Sequence, residues 1–274
     1  MSGTLSFSAA LVLYLATFFV DLVSLLFARD WHRLELAVLL LGFVFHSVGI
    51  LLRGIAIGAV PVTNTYETLV SYAWVFVLAY LVFGLFSRWS SRQLRPIGML
   101  SAISAFAVLT LAASPLFSSD PQPLVPALRG IWLPLHVGFT VMGEGFFAVA
   151  FFASSLFLVR FYTRTPKREA SAALEALDLI SYRAIALGFP LFTLGGLLFG
   201  SIWAQQAWGS YWSWDPKETF MLVTWLVYVV YLHVRVRGDG TRVRAAWIAV
   251  AGFFLAMFTF AGVNFLLSGL HSYR

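Results

Sequence analysis

Long apolar runs, each about as long as a bilayer is thick, alternate along this chain with short polar breaks. A helix crossing the hydrocarbon core needs about 20 mostly apolar residues. Eight stretches qualify, at roughly 7–27, 34–56, 66–86, 96–113, 134–159, 183–203, 217–234 and 245–267. The pattern predicts an all-α, polytopic integral membrane protein, with residues 1–274 as a single helical membrane domain and no soluble module. The first run, Phe7 to Phe27, is too long for the core of a signal peptide. It also lacks a basic leader and a small-residue cleavage site. It is expected to be a retained first span. Two breaks are long. Ser114–Leu133 carries Pro115, Pro121, Pro123 and Pro126 and is expected to lie along the outer face. Segment 161–182 has Leu174, Leu177 and Ile180 at helical spacing beside Glu175 and Asp178, which predicts a short interfacial helix.

Composition agrees with the spans. Hydrophobic residues make up 60% of the chain and charged residues 11%, against about 25% charged in soluble domains. The net charge is +6, which by itself could suggest nucleic acid. The placement of the charges decides otherwise. Of 18 Lys and Arg, all but Arg53, Arg129, Lys217 and Arg274 fall in loops on one side of an eight-span topology. Basic loops mark the cytoplasmic face. Both termini, and the loop before the seventh span, are then expected outside. Nucleic acid is excluded as a partner, and membrane lipid is the expected surroundings. There is no cysteine, so any thiol chemistry must come from another protein.

One stretch stands apart. Residues 203–219 hold Trp203, Trp208, Trp212 and Trp214, four of ten tryptophans, next to Asp215, Lys217 and Glu218. A lipid-facing helix would not keep such charges beside it. A loop of this kind presents flat, polarizable faces with polar tips, which suits a large planar ligand. An aromatic belt at the membrane–water interface is the alternative.

The histidines sharpen the choice. His136 sits at the outer end of the fifth span, and His271 lies four residues past the eighth. Topology brings both to the depth of the tryptophan stretch. Imidazole is the commonest metal ligand, and haem iron takes axial histidine. Either histidine alone could merely hydrogen-bond at the interface; with the tryptophan stretch, metal ligation is expected. His233 lies seventeen residues beyond Pro216, about 25 Å down a helix, near the cytoplasmic end. His46 sits in the second span at another depth. It reads as a candidate ligand or equally as a satisfied core histidine. His32 is expected to be solvated in a loop.

The acidic residues have a structural role in view. Asp215, Pro216 and Glu218 form a helix start: a side-chain cap, proline at the first position and a carboxylate at the third. Asn64 and Glu67 repeat that logic before the third span. Glu144, inside the fifth span eight residues below His136, is a buried carboxylate that could tune the site.

The run Trp208-Gly209-Ser210-Tyr211-Trp212-Ser213-Trp214-Asp215-Pro216-Lys217-Glu218-Thr219 resembles the WWD signature of membrane haem-handling proteins. Its Asp-Pro-Lys-Glu-Thr ending is similar to the CcsA/ResC branch, the integral subunit of the System II cytochrome c synthase. Residues 61–69, 177–190 and 262–273 resemble other parts of that family, so the likeness covers most of the chain from Pro61 onward. The first span and His46 match no family motif.

The resemblance implies haem transport and covalent attachment of haem to apocytochrome c on the outer side of a cytoplasmic or thylakoid-type membrane. Haem b is then the substrate. His136 and His271 would ligate its iron at the site of attachment, and His233 would serve an earlier haem site. Trp208, Gly209, Tyr211, Trp212, Trp214 and Asp215 would form the haem-binding WWD loop. Implied partners are a CcsB/ResB-type membrane subunit, apocytochrome c and thiol-reducing thioredoxin-like proteins. Two other readings stay open: a haem exporter or chaperone of the CcmC type without synthase chemistry, and a b-type haem electron-transfer subunit.

Overall fold

In the computed structural model the described residues are 3–86, 91–120, 128–163, 168–238 and 241–263. Among them the secondary structure is helical throughout. The elements are α1 (Thr4–Leu26), α2 (His32–Ile57), α3 (Thr65–Phe86), α4 (Ser91–Ala112), α5 (Trp132–Thr163), α6 (Arg168–Phe192), a π-helical segment (Thr193–Phe199), α7 (Gly200–Trp208), α8 (Pro216–Val236), α9 (Arg242–Met257) and a second π-helical segment (Phe258–Gly262). Eight of the helical stretches are long and apolar enough to cross a membrane. The expected spans are all present. Contacts group the chain into two compact units, 1–124 and 125–274.

In the first unit, α1 buries Ala10, Tyr14, Thr17, Asp21 and Ser24, a stripe recurring every three or four residues. The facing stripe on α2 is Leu39, Gly42, His46, Gly49 and Arg53. The opposite side of α2 exposes Leu40, Leu41, Val44, Val48, Leu51 and Ile55. Such a surface suits hydrocarbon, because every backbone group is satisfied within the helix. The start of α3 follows the sequence expectation. Asn64 Oδ1 accepts from the Glu67 N–H at 2.9 Å, and the Glu67 carboxylate reaches back to the Thr63 N–H at 2.9 Å. The same carboxylate also pairs with buried Arg53 at 2.9 Å.

In the second unit α5 is the central post, with Glu144, Phe147, Ala148, Val149, Ala150 and Ala153 all buried. The expected interfacial helix within 161–182 is not a separate element. Residues 172–208 run as one helical stretch. No breaker separates 161–182 from the span, because Leu177, Ile180, Ala184 and Ile185 continue one buried stripe in phase. The polar residues that suggested an interface are ion-paired instead. Asp178 accepts from Arg235 of α8 at 2.7 Å and lies 3.6 Å from Arg242 of α9.

Candidate functional site

The site grows from the start of α8. Gly209, at φ 80°, closes α7 with its N–H on the Gln205 carbonyl at 3.0 Å. Residues 203–208 of the tryptophan stretch are thus helical, and only 209–215 form the turn into α8. α7 simply continues the sixth span until a left-handed residue stops it. At the other end the capping box is complete. Asp215 Oδ1 accepts from the Lys217 N–H at 2.9 Å. Glu218 Oε2 accepts from Ser213 N–H at 2.8 Å, Ser213 Oγ at 3.1 Å and Asp215 N–H at 3.3 Å. One carboxylate therefore gathers the last residues of the turn. Trp214 is held at φ 59°, a conformation that an L residue adopts only when its surroundings impose it.

That geometry sorts the aromatic residues. Tyr211 and Trp214 are turned outward, 62% and 69% exposed. Trp212 is half-buried and meets Trp214 edge-on at 5.7 Å. Its Nε1 has no partner among the described residues. Trp208 meets Trp203 edge-on at 5.8 Å. Trp203 is buried, and its ring lies parallel to the His136 ring, with centroids 5.7 Å apart and an interplanar angle of 6°.

His136 is oriented by a carbonyl on the neighbouring helix. Its Nδ1 lies 2.9 Å from the Gly195 oxygen. A carbonyl can only accept, so Nδ1 carries the hydrogen, and in the neutral ring the lone pair is then on Nε2. The Gly195 carbonyl is available because the helix widens there. In the π-helical segment it accepts the Gly200 N–H, five residues on, and the histidine takes its remaining capacity. The widening follows Pro190, which has no N–H to give. It also needs glycine. A Cβ on Gly195 would stand 2.3 Å from the Thr140 nitrogen, and one on Gly200 would stand 2.9 Å from His136 Nδ1.

Between these groups lies a narrow cleft lined by His136, Trp203, Tyr211, Trp212, Lys217 and Glu218 among others. Glu218 Oε1 is buried there without a donor among the described residues. Lys217 is within range of the charges of Glu144 and Asp215. An aromatic lining with a few fixed polar groups is the usual composition of a small-molecule site.

The expected residues are not all together. His136, Tyr211 and Trp212 line the cleft. Trp208, Gly209, Trp214 and Asp215 shape or border it. His233 is exposed in the last turn of α8, at the opposite end from Asp215. His46 is fully buried in the first unit, 3.1 Å from the Tyr14 hydroxyl and edge-on to Phe7. His271 lies outside the described residues. Sequence reasoning missed Trp203 as the ring stacked on His136, and it missed Gly195 and Gly200. The adjacent Gly195-Gly196 inside a span was the available signal, since small residues mark close helix contacts in membranes.

These features define a multi-pass helical membrane protein with an oriented histidine beneath an aromatic turn. A family model described as Cytochrome C assembly protein matches residues 62–271. A cytochrome c biogenesis protein CcsA of Chlamydomonas reinhardtii is 40% identical over 223 residues, covering 79% of this chain and 61% of that relative. The CcsA protein of Guillardia theta is 37% identical over 81% of this chain and 79% of its own length. That of Trieres chinensis is 37% identical over 86% and 83%. The chain belongs to the cytochrome c assembly protein family, on its CcsA branch, and so to cytochrome c biogenesis.

Proposed function

We propose that this chain presents haem for covalent attachment to apocytochrome c, as the WWD-bearing subunit of a System II cytochrome c synthase. The observation that carries the reading is the fixed tautomer of His136. Its Nδ1 hydrogen goes to Gly195, so in the neutral ring Nε2 is the nitrogen that would bind iron. A carbonyl that accepts the other ring N–H is what orients metal-ligating histidines generally.

Haem is the substrate, in its b form. His136 takes one axial position and His271 the other. The cleft receives an edge of the macrocycle, and Tyr211, Trp212 and Trp214 lie against its face. Lys217 or Arg129 meets a propionate. The basic-loop pattern puts this turn and both termini outside, where a reduced apocytochrome docks. Each thiol of its Cys-x-x-Cys-His segment adds across a haem vinyl group. The S–H and C=C bonds are consumed, a C–S bond and a C–H bond form, and no net oxidation occurs. The apocytochrome histidine then replaces one axial ligand. The chain contributes proximity and orientation rather than a nucleophile. A CcsB/ResB-type subunit and thioredoxin-like reductants complete the system. His233 serves haem earlier on its route, with its companion ligand supplied by the partner subunit.

The test is co-expression with the partner subunit and a reporter apocytochrome in cells lacking other maturation systems. Covalent cytochrome c, lost in His136→Ala, is expected. Haem bound to the membrane protein with no covalent product would assign the chain to haem delivery alone.

A further inference from the structure

The first unit buries a group of charges that the haem reading does not use. Asp21 of α1 is 1% exposed and Glu35 of α2 is 2% exposed. Neither Asp21 oxygen meets a donor among the described residues. The Glu35 carboxyl is its acidic neighbour across the α1–α2 pair. Two carboxylates cannot hydrogen-bond each other. One proton held by the pair removes their mutual repulsion.

The neighbouring cation does not remove that requirement. Arg95 of α4 donates to Asp30 at 2.6 Å and to Ser24 Oγ at 3.0 Å, and it lies 3.4 Å from the Arg29 carbonyl. Its Nε stands 3.5 Å from Glu35 Oε2. It makes no bond to Asp21. Asp30 sits in the loop, where the His32 N–H first and Arg95 second hold its carboxyl below the usual carboxylate range. Asp30 therefore takes much of the guanidinium's charge. Among the described residues, Asp30, Glu35 and Asp21 then all neighbour the guanidinium of Arg95. Tyr80 of α3, a further titratable group near the pair, brings no positive charge. A bare, donorless carboxylate in this interior would lose its hydration with nothing in return. Two neighbouring buried acids resolve this by holding one proton between them.

A route for that proton is also present. The His32 side chain is 30% exposed, and its Nδ1 lies 3.4 Å from Glu35 Oε2. Asp21 is five residues inside the end of α1 at Leu26, roughly 8 Å along the helix. Histidine is the side chain that exchanges protons near neutral pH.

We propose that Asp21 and Glu35 form a proton-binding site: their carboxyls share one proton, exchanged with water through His32. The site lies in the first unit and stands or falls apart from the haem reading.

Infrared difference spectroscopy on the full-length chain in lipid nanodiscs tests it. At neutral pH a neutral-acid carbonyl band is expected that shifts in D₂O. It should vanish in Asp21→Asn and persist in Asp30→Asn. In Glu35→Gln the band should change position, because its hydrogen-bond acceptor changes. In His32→Ala the shift should develop more slowly. A band untouched by Asp21→Asn overturns the site. If Asp21→Asn does not accumulate, an unmoved band in Glu35→Gln, or no neutral-acid band in the unsubstituted chain, overturns it equally. An unchanged exchange rate in His32→Ala overturns the route.

Discussion

His136 of α5 gives its Nδ1 hydrogen to the Gly195 carbonyl at 2.9 Å, and that carbonyl already accepts the Gly200 N–H across a π turn. One oxygen thus fixes both the shape of the sixth span and the direction of a ligand. The close approach behind it is the weak point. Gly195→Ala should force the two helices apart, since its Cβ would meet the Thr140 nitrogen at 2.3 Å. Overpacking of this kind costs about 1–3 kcal/mol. Thermal unfolding of the purified protein should show the loss, and haem occupancy should fall with it. Gly138→Ala, two residues from His136 and with no atom within 4 Å of the added carbon, should match the unsubstituted protein in both measurements.

The aromatic turn can be tested without touching the histidine. Replacing Trp212 and Trp214 together by Ala should lower haem occupancy several-fold while the protein still inserts. Soret absorbance per mole of purified protein reads the first, and membrane fractionation the second. Unchanged occupancy would return these rings to the role of an interfacial belt.

The cap of α8 should matter to haem as well as to stability. Glu218→Ala removes the acceptor for Ser213 and for Asp215 N–H. Loss of a capping side chain costs about 0.5–2 kcal/mol. Residues 209–215 should become open to protease, and haem occupancy should drop. Thr219→Ala, at an exposed hydroxyl 3.3 Å from the Trp214 carbonyl, should do much less.

The pair Asp178–Arg235 lets an ion pair be weighed in a membrane helix bundle. The side chains are 10% and 15% exposed. Removing one partner leaves a stranded charge, which costs about 3–5 kcal/mol when fully buried and less at this exposure. Arg235→Met should therefore lower the melting temperature more than Arg235→Met combined with Asp178→Leu. Equal losses in the single and double variants would mean that Arg242, 3.6 Å from Asp178, already suffices.

The sequence revealed the parts that depend on local chemistry. Eight spans follow from run length alone, because lipid admits little else. The start of α8 was readable because cap, proline and carboxylate act within four residues. Segment 161–182 misled because a charged helical stripe looks the same whether it rests on headgroups or pairs with arginines brought in by α8 and α9. The fixing of His136 was illegible for a related reason. Its partner lies 59 residues away and becomes an acceptor for it only where a helix departs from its usual pitch. The depth argument for His233 agrees with its place at the far end of α8.

The widened turn also sets the phase of everything beyond it. One extra residue in a helical turn rotates the following helix by about 100° relative to an uninterrupted one. Trp203 faces His136 only after that rotation. Winding Thr193–Phe199 at ordinary α pitch would leave a hydropathy plot unchanged, yet it would swing the indole off the imidazole and aim the loop elsewhere.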